Sequence, residues 1–533
     1  MLTWELWFAI IPGLILFLYG IEHFSREIQR VAGERFRSVL IKLTKNPVGG
    51  AFLGAIVTAV IQSSTATTVI VVGLVNAGTI PFVQSLGIMF GANVGTTITA
   101  QLIAFKVTGF APFFILAGFL LSVFGGRYKF IGKPIFYFGL VFFSLGLISD
   151  AVKPYQNDPD LIGFFSQFSN VYLAILAGII GVIVLQSSSV VTGIVILLAG
   201  GGLLTLPQSI PIILGANIGT TATSQLAASR MDLFAKRAAA AHFLFNIGGV
   251  LIFLPFLGPF ADLVASIGGD AAHQVANAHL LFNLTCAAVF LAALKPFKSA
   301  IERLVPGEEE EILFHTKYLG DKIPKNNKTA FGLIEKEIVN SLNVALKLFR
   351  EAAEFMKTGK DQKFQHVEKL EMLNDFLDER IEKALLELSR RKLSRKEAEK
   401  TVLLVRISNA IEQVGDQGEK LGYLANDMSE TGLSFSPDSI VELEKVYGKI
   451  EENMLIIRDS LPAIPARNIE FMRKNDNAFR ALVNLGYQEH MKRLYAQKAY
   501  AGTSFVEAMS ILEDTNAHVR EIRKLSELYR KLE

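Results

Sequence analysis

Residues 48–78 read VGGAFLGAIVTAVIQSSTATTVIVVGLVNAG, an apolar stretch cut near its middle by the polar cluster Gln62-Ser63-Ser64-Thr65. Each flanking half holds about 14 residues, or roughly 21 Å of helix, too short to cross about 30 Å of hydrocarbon alone. Residues 171–203 repeat this arrangement around Gln186-Ser187-Ser188-Ser189. A pair of interrupted hydrophobic segments at corresponding positions of a chain points to a transporter site made from broken or re-entrant helices.

The correspondence has a fixed offset. Gly91-Ala92-Asn93-Val94-Gly95-Thr96-Thr97 recurs as Gly215-Ala216-Asn217-Ile218-Gly219-Thr220-Thr221, and both this pair and the Gln-Ser-Ser pair lie 124 residues apart. Gln84 and Gln208, Thr99 and Thr223, and Gln101 and Gln225 match at the same spacing. A whole unit has been duplicated.

Composition divides the chain near Pro306. Residues 1–305 hold 17 Lys+Arg and 11 Asp+Glu, whereas residues 306–533 hold 36 and 39, so a membrane part and a soluble part share one chain. Neither part has the basic excess of a nucleic-acid binder. The single cysteine, Cys286, lies in an apolar run and reads as a buried helix residue, which excludes an intrachain disulfide framework.

Apolar runs long enough to span fall near 6–24, 83–104, 109–124, 130–149, 208–228, 236–256 and 273–294. The first has Glu5 and no basic region before it, and reads as a retained helix. With both interrupted stretches drawn as hairpins that return to the side they left, the basic clusters around Arg26–Lys45, Arg127–Lys133, Arg230–Arg237 and Lys295–Lys298 share one face. The positive-inside rule makes that face cytoplasmic. The N-terminus is then outside, the C-terminal half is cytoplasmic, and the two hairpins enter from opposite sides. The expected fold is all-α: a polytopic protein of the plasma (inner) membrane with two inverted repeats and re-entrant helical hairpins, plus a soluble all-α domain. Repeat one covers about 1–124, repeat two about 130–256, and a final span about 273–294. The transmembrane domain is 1–305, a linker 306–329, and a helical domain 330–533.

No Asp, Glu, Lys or Arg occurs between Asn46 and Phe105 or between Val171 and Ser229. Neutral oxygens from Gln, Ser, Thr and Asn suit a hard monovalent cation. An anion can be held by half-helix N-termini helped by hydroxyls. Small hydroxyl residues also let membrane helices pack closely, which is the plainer reading of any single Ser-Ser pair. A serine nucleophile would need an activating base, and no His or acid lies near in sequence, so an enzyme is not expected.

These motifs resemble the type II class of sodium-dependent phosphate cotransporters, including bacterial members with a C-terminal PhoU-like domain, over essentially the whole chain. The resemblance implies a sodium-coupled inorganic phosphate symporter working by alternating access, for uptake or export. It assigns phosphate to Ser63, Ser64, Thr65, Ser187, Ser188 and Ser189. Sodium, the coupling ion, falls to Gln62, Asn93, Thr96, Thr97, Gln186, Asn217, Thr220 and Thr221. Asp232, after the second Gly-Ala-Asn segment, reads as a solvated loop acid. A membrane-anchored phosphate sensor that signals through the soluble half is the alternative, and homo-oligomers or a signalling partner are compatible with either.

His242-x-x-x-Asn246 is echoed by His279-x-x-x-Asn283, each pair on one helix face. Interhelical hydrogen bonding accounts for them, and a gate or pH-sensitive element is the sharper reading. Beyond the acidic run Glu308–Glu311, six helices are expected near 330–358, 361–391, 395–429, 437–461, 466–500 and 504–532, with Ser394-x-x-Glu397 and Ser504-x-x-Glu507 as capping boxes. Two three-helix bundles of this kind resemble the PhoU domain. Glu371-x-x-x-Asp375 and Glu412-x-x-x-Asp416 match the metal motifs of such helices, so a divalent metal is a candidate ligand beside the simpler reading of a solvated acidic face.

Overall fold

The computed structural model describes residues 4–105, 107–307, 310–320, 322–359, 362–496 and 501–532. Among these residues every regular element is helical. The chain divides into two compact units, Met1–Glu311 and Ile312–Glu533.

The first unit contains α1 (Trp4–Leu43), α2 (Pro47–Ile61), α3 (Ser64–Asn76), α4 (Phe82–Ala104), α5 (Ala111–Phe124), α6 (Lys129–Val152), α7 (Pro159–Ser166), α8 (Val171–Leu185), α9 (Ser188–Gly200), α10 (Leu206–Gly219), α11 (Thr221–Ala228), α12 (Leu233–Phe253), α13 (Leu257–Ser266), α14 (Ala271–Ala292) and α15 (Leu294–Leu304). Among the described residues four helical stretches are long and apolar enough to cross a membrane, Phe82–Ala104, Lys129–Tyr155, Leu233–Ser266 and Ala271–Ala292, and Pro159–Ser169 with Val171–Leu185, bent by 101°, would pass together as a fifth. Three expected spans come out differently. The run at 6–24 continues through the basic residues that follow it as the 40-residue α1. The run at 109–124 is the 14-residue α5. The run at 208–228 breaks at Thr220 into α10 and α11.

The two hairpins are punctuated identically. Asn46 caps α2 by accepting the Gly49 amide at 2.8 Å, and Asn170, 124 residues on, caps α8 by accepting the Tyr172 and Leu173 amides. After the second arms, Gly78 (φ 62°) and Gly202 (φ 79°) turn the chain in the left-handed region that glycine reaches without strain. The Thr79 and Leu203 amides then bond the carbonyls of Leu74 and Leu198, both at 3.0 Å.

Small residues set how closely these elements approach. A Cβ added at Gly91 would lie 1.8 Å from the Ala51 carbonyl oxygen, and one at its equivalent Gly215 would lie 2.0 Å from that of Ile175. Backbone therefore touches backbone between α2 and α4, and again between α8 and α10.

Asp232 is not a loop acid. It is buried and caps α12 through the Ala235 amide at 2.7 Å, while its own amide donates to Asn76 Oδ1 at 3.0 Å. The chain leaving the first unit is likewise fastened down. The buried Arg237 guanidinium donates to the carbonyls of Val305 (3.1 Å) and Gly307 (3.0 Å). The Glu311 carboxylate accepts the Phe82 amide at 2.5 Å. Pro81, the N-cap of α4, has no capping side chain, so Glu311 supplies the anion that the α4 N-terminus favours. Glu308 and Glu309 lie outside the described residues.

The second unit holds α16 (Asn327–Thr358), α17 (Gln362–Ser389), α18 (Arg395–Glu430), α19 (Pro437–Ser460), α20 (Ala466–Tyr495) and α21 (Gly502–Arg530). The expected start of the second helix at 361 and end of the fifth at 500 fall outside the described residues. Helices α16, α17 and α18 pack together, as do α19, α20 and α21, and α18 runs against α21 so that one continuous core serves both groups. The Ser394–Glu397 capping box is formed. That at Ser504 is not: Ala501 and Phe505 are buried, the Phe505 amide bonds the Ala501 carbonyl, and the helix starts earlier. Residues ahead of α16 are packed rather than loose. The fully buried Glu337 carboxylate accepts the amides of Lys317 (3.0 Å), Tyr318 (2.6 Å) and Leu319 (2.9 Å), and Arg391 donates to the carbonyls of Ile323 (3.3 Å) and Pro324 (2.5 Å).

Gly91→Ala or Gly215→Ala forces helix backbones apart. Each should lower stability by about 2 kcal/mol or more, read as a fall in the thermal midpoint of the detergent-purified protein.

Candidate functional site

The two Gln-Ser-Ser motifs fold alike. Gln62 (φ 60°, ψ 26°) and Gln186 (φ 55°, ψ 20°) are the only described non-glycine residues with positive φ, and each closes the first arm of its hairpin. The next residue, Ser63 or Ser187, is extended and caps the second arm, its Oγ accepting the Ala66 amide at 3.1 Å or the Val190 amide at 3.4 Å. Each capping hydroxyl keeps its proton to give. The amides of Ser64 and Thr65, and of Ser188 and Ser189, open their helices and have no intrahelical acceptor. Two helix N-termini rich in hydroxyls result, with Ser64, Ser188 and Ser189 buried and Ser63, Thr65 and Ser187 half-buried. Such ends suit an oxyanion.

The threonines of the Gly-Ala-Asn segments present the opposite character. Thr96, Thr97, Thr220 and Thr221 donate their hydroxyl protons to the carbonyls of Ala92 (3.1 Å), Val94 (2.7 Å), Asn217 (2.6 Å) and Ile218 (2.8 Å). Their oxygens are left with lone pairs only, as a cation ligand requires. Asn93 donates through Nδ2 to the Met89 carbonyl at 2.9 Å.

Equivalent residues have unlike surroundings. Gln62 is buried, and the hydroxyl of Thr99 donates to its Oε1 at 2.5 Å. Gln186 and Thr223 are exposed, and Gln186 folds back on the Ile183 carbonyl at 2.6 Å. The structure joins Gln62 to its repeat's second segment and leaves Gln186 apart from its own.

Helix α14 connects to both repeats. Asn277, which the sequence did not single out, accepts from Gln101 Nε2 through Oδ1 at 3.1 Å. Lower on the same helix, His279 and Asn283 close a buried triangle with Asn217. Its polarity is fixed from one end. A backbone carbonyl can only accept, so Asn283 turns Nδ2 to the His279 carbonyl (2.9 Å) and Oδ1 to Asn217 (3.2 Å). Asn217 must then present Nδ2 to Asn283 and Oδ1 to His279 Nε2 (3.2 Å), which carries the proton. On α12 the tautomer is reversed. Ser224 gives its proton to the Thr221 carbonyl (2.8 Å) and accepts from His242 Nδ1 (3.0 Å), while Asn246 Nδ2 donates to the His242 carbonyl (2.8 Å). His242, His279 and Asn283 each bond a side chain on another helix, whereas Asn246 bonds only within its own.

In the second unit, carboxylate oxygens of Glu371, Asp375 and Asp416 lie within 4.8 Å of one another. Glu412 stands outside this group and accepts from Gln413 Nε2 at 2.8 Å. Burial pushes the Glu371 carboxyl up to about 8, with Asp375 beside it adding to the rise. Burial also lifts Glu412 to about 7, and raises Asp416 and Glu419.

Comparison with known proteins bears on both halves. The pattern of the Na+/Pi-cotransporter family matches residues 16–150 and 161–288. YqeW of Bacillus subtilis, an uncharacterized protein, is 32% identical over 267 residues, which are 49% of this chain and 86% of that protein. YjbB of Salmonella typhimurium, whose name describes inorganic phosphate export, is 26% identical over 495 residues, 92% of this chain and 91% of that one. Sodium-dependent phosphate transport protein 2C of Rattus norvegicus is 41% identical over 135 residues, 22% of each chain. No solved structure matches the chain significantly.

The raised carboxyls carry a pH dependence. A group with a raised folded-state pKa binds its proton more tightly when folded, so its contribution is complete below about pH 4 and is lost as pH rises through about 7 to 8. The unfolding midpoint of the helical unit in the full-length protein should fall between pH 6 and pH 9, and Glu371→Gln should flatten that dependence.

Proposed function

Since the chain belongs to the Na+/Pi-cotransporter family and has the membrane-capable helices of a transporter, its business is phosphate transport, and we propose that it couples phosphate movement to sodium by alternating access. The observation that carries this reading is the pair of identically folded Gln-Ser-Ser tips, whose serines are alike in burial while Gln62 is covered and Gln186 exposed. Alternating access needs two equivalent elements that exchange environments.

In this reading the repeats are inverted and the hairpins re-entrant, with the N-terminus outside and the helical unit, PhoU-like, in the cytoplasm. Phosphate is held by Ser63, Ser64, Thr65, Ser187, Ser188 and Ser189 together with the helix N-termini behind them. Sodium is held by oxygens of Gln62, Asn93, Thr96, Thr97, Gln186, Asn217, Thr220 and Thr221. The sodium dependence in the name of protein 2C supports the coupling ion, and the export in the name of YjbB supports outward movement as one direction set by the gradients. His242, Asn246, His279 and Asn283 form a gate between α10, α11 and the helices behind them. Glu371, Asp375 and Asp416 offer a divalent cation its ligands in the helical unit. A phosphate sensor remains the second reading, favoured by the presence of that unit.

A sodium gradient at constant pH should drive phosphate flux in proteoliposomes, and a pH gradient without sodium should not. Ser64→Ala or Ser188→Ala should abolish the flux with the protein still inserted. Uptake driven by the pH gradient alone would refute sodium coupling, and phosphate binding without flux under any gradient would favour the sensor.

A further inference from the structure

Thr68 and Thr192 occupy equivalent positions, 124 residues apart, six residues beyond Gln62 and Gln186. Both are almost completely inaccessible, at 0% and 2% exposure, and neither hydroxyl has a hydrogen-bond partner. A threonine in a membrane helix ordinarily settles its hydroxyl on the carbonyl three or four residues back. Thr67, Thr96, Thr97, Thr220 and Thr221 all do so. Among the described residues of this unit, the other buried threonine without a partner is Thr44, whose equivalent is Phe168, so it is no part of the duplication.

Within the same hairpins the chain shows what happens to a hydroxyl that serves structure alone. In repeat one Thr58 donates to Thr67 at 2.9 Å, and the equivalent residues of repeat two are Val182 and Val191. Both members of a hydrogen-bonded pair have given way to apolar side chains of the same shape, a nearly neutral exchange. At Thr68 and Thr192, where valine would relieve a buried hydroxyl of its unmet hydrogen bond, threonine stands in both repeats.

We propose that Thr68 and Thr192 are phosphate ligands, donating their hydroxyl protons to oxygens of an anion held at the hairpin tips. This rests on the tips being the phosphate site. Each threonine lies four residues after Ser64 or Ser188 and so on the same helix face. The Cα–Cβ bond of a helical residue tilts toward the helix N-terminus, which places each hydroxyl over the turn that opens the helix. An uncommitted proton next to the positive end of a helix suits an anion. The threonines with committed protons are the ones suited to sodium.

Equilibrium binding of radiolabelled phosphate to the detergent-solubilised full chain tests this, with Thr68→Val, Thr192→Val, the double valine variant, and Thr68→Ser and Thr192→Ser as the two serine variants that keep the hydroxyl. Each valine variant should bind phosphate about tenfold or more weakly, the double variant more weakly still, and the serine variants close to wild type. The sodium concentration for half-maximal stimulation of binding should not move. Thermal midpoints of the valine variants should equal or exceed wild type, because a buried unpaired hydroxyl is removed. Wild-type affinity in the valine variants, a shift in sodium dependence alone, or a lowered midpoint that accounts for the loss would each overturn the assignment. Wild-type binding without flux in proteoliposomes would refute transport, not these ligands, whereas normal phosphate binding by Ser64→Ala and Ser188→Ala would refute the site on which both depend.

Discussion

A chain that breaks a helix in the middle of an apolar stretch must find partners for the backbone groups it frees, and the left-handed glutamine followed by a capping serine is how this one does it. The last carbonyls of α2 and α8 and the first amides of α3 and α9 have no partner within their own helices. At Gln62 the turn lets the backbone N–H bond the Thr58 carbonyl at 2.7 Å, and the glutamine side chain returns to the Ala59 carbonyl. Ser63 then takes an amide of α3. What remains is a small set of N–H and O–H donors at the helix start without an intrahelical acceptor. At Gln186 the side chain makes the same return, to the Ile183 carbonyl, and Ser187 makes the same cap.

Much of this was legible in the sequence, because duplication and interruption are both local signals. The polar cluster in mid-span announced the break, and the common offset announced the repeat. Less legible were features decided by tertiary contacts. Helix α1 runs on through basic residues that read as a loop, since Arg26, Arg30 and their neighbours are compatible with helix and the single Gly33 among them does not end it. The break at Thr220 follows no signal peculiar to it, since the equivalent Gly95-Thr96-Thr97 lies inside the unbroken α4. Asp232 looks like a loop acid until its cap to Ala235 is seen. Thr68 and Thr192 do match at the repeat offset, so a search for every identical residue at that spacing would have found them. Their lack of partners could not be read without the fold.

Helix α14 lies outside the duplicated segments yet contacts both, through Asn277 to Gln101 and through His279 and Asn283 to Asn217. The His-Asn echo between α12 and α14 suggested equal roles. The structure gives them opposite tautomers and different neighbours. Asn217 has its carboxamide orientation dictated from α14, whereas Asn93 answers only to its own helix. Two segments of nearly identical sequence are therefore held with unequal firmness.

The cap that Glu311 places on α4 reaches across 229 positions of sequence. During synthesis, the helix that carries Asn93, Thr96 and Thr97 waits with its N-terminus open while the whole of the second repeat is made and inserted. Only when the last residues of the membrane half emerge can Arg237 and Glu311 close on the strap between them, and Ile312, the next residue, is already buried in the core of the following unit. The first-made repeat is the last to be finished, and its completion coincides with the birth of the helical unit.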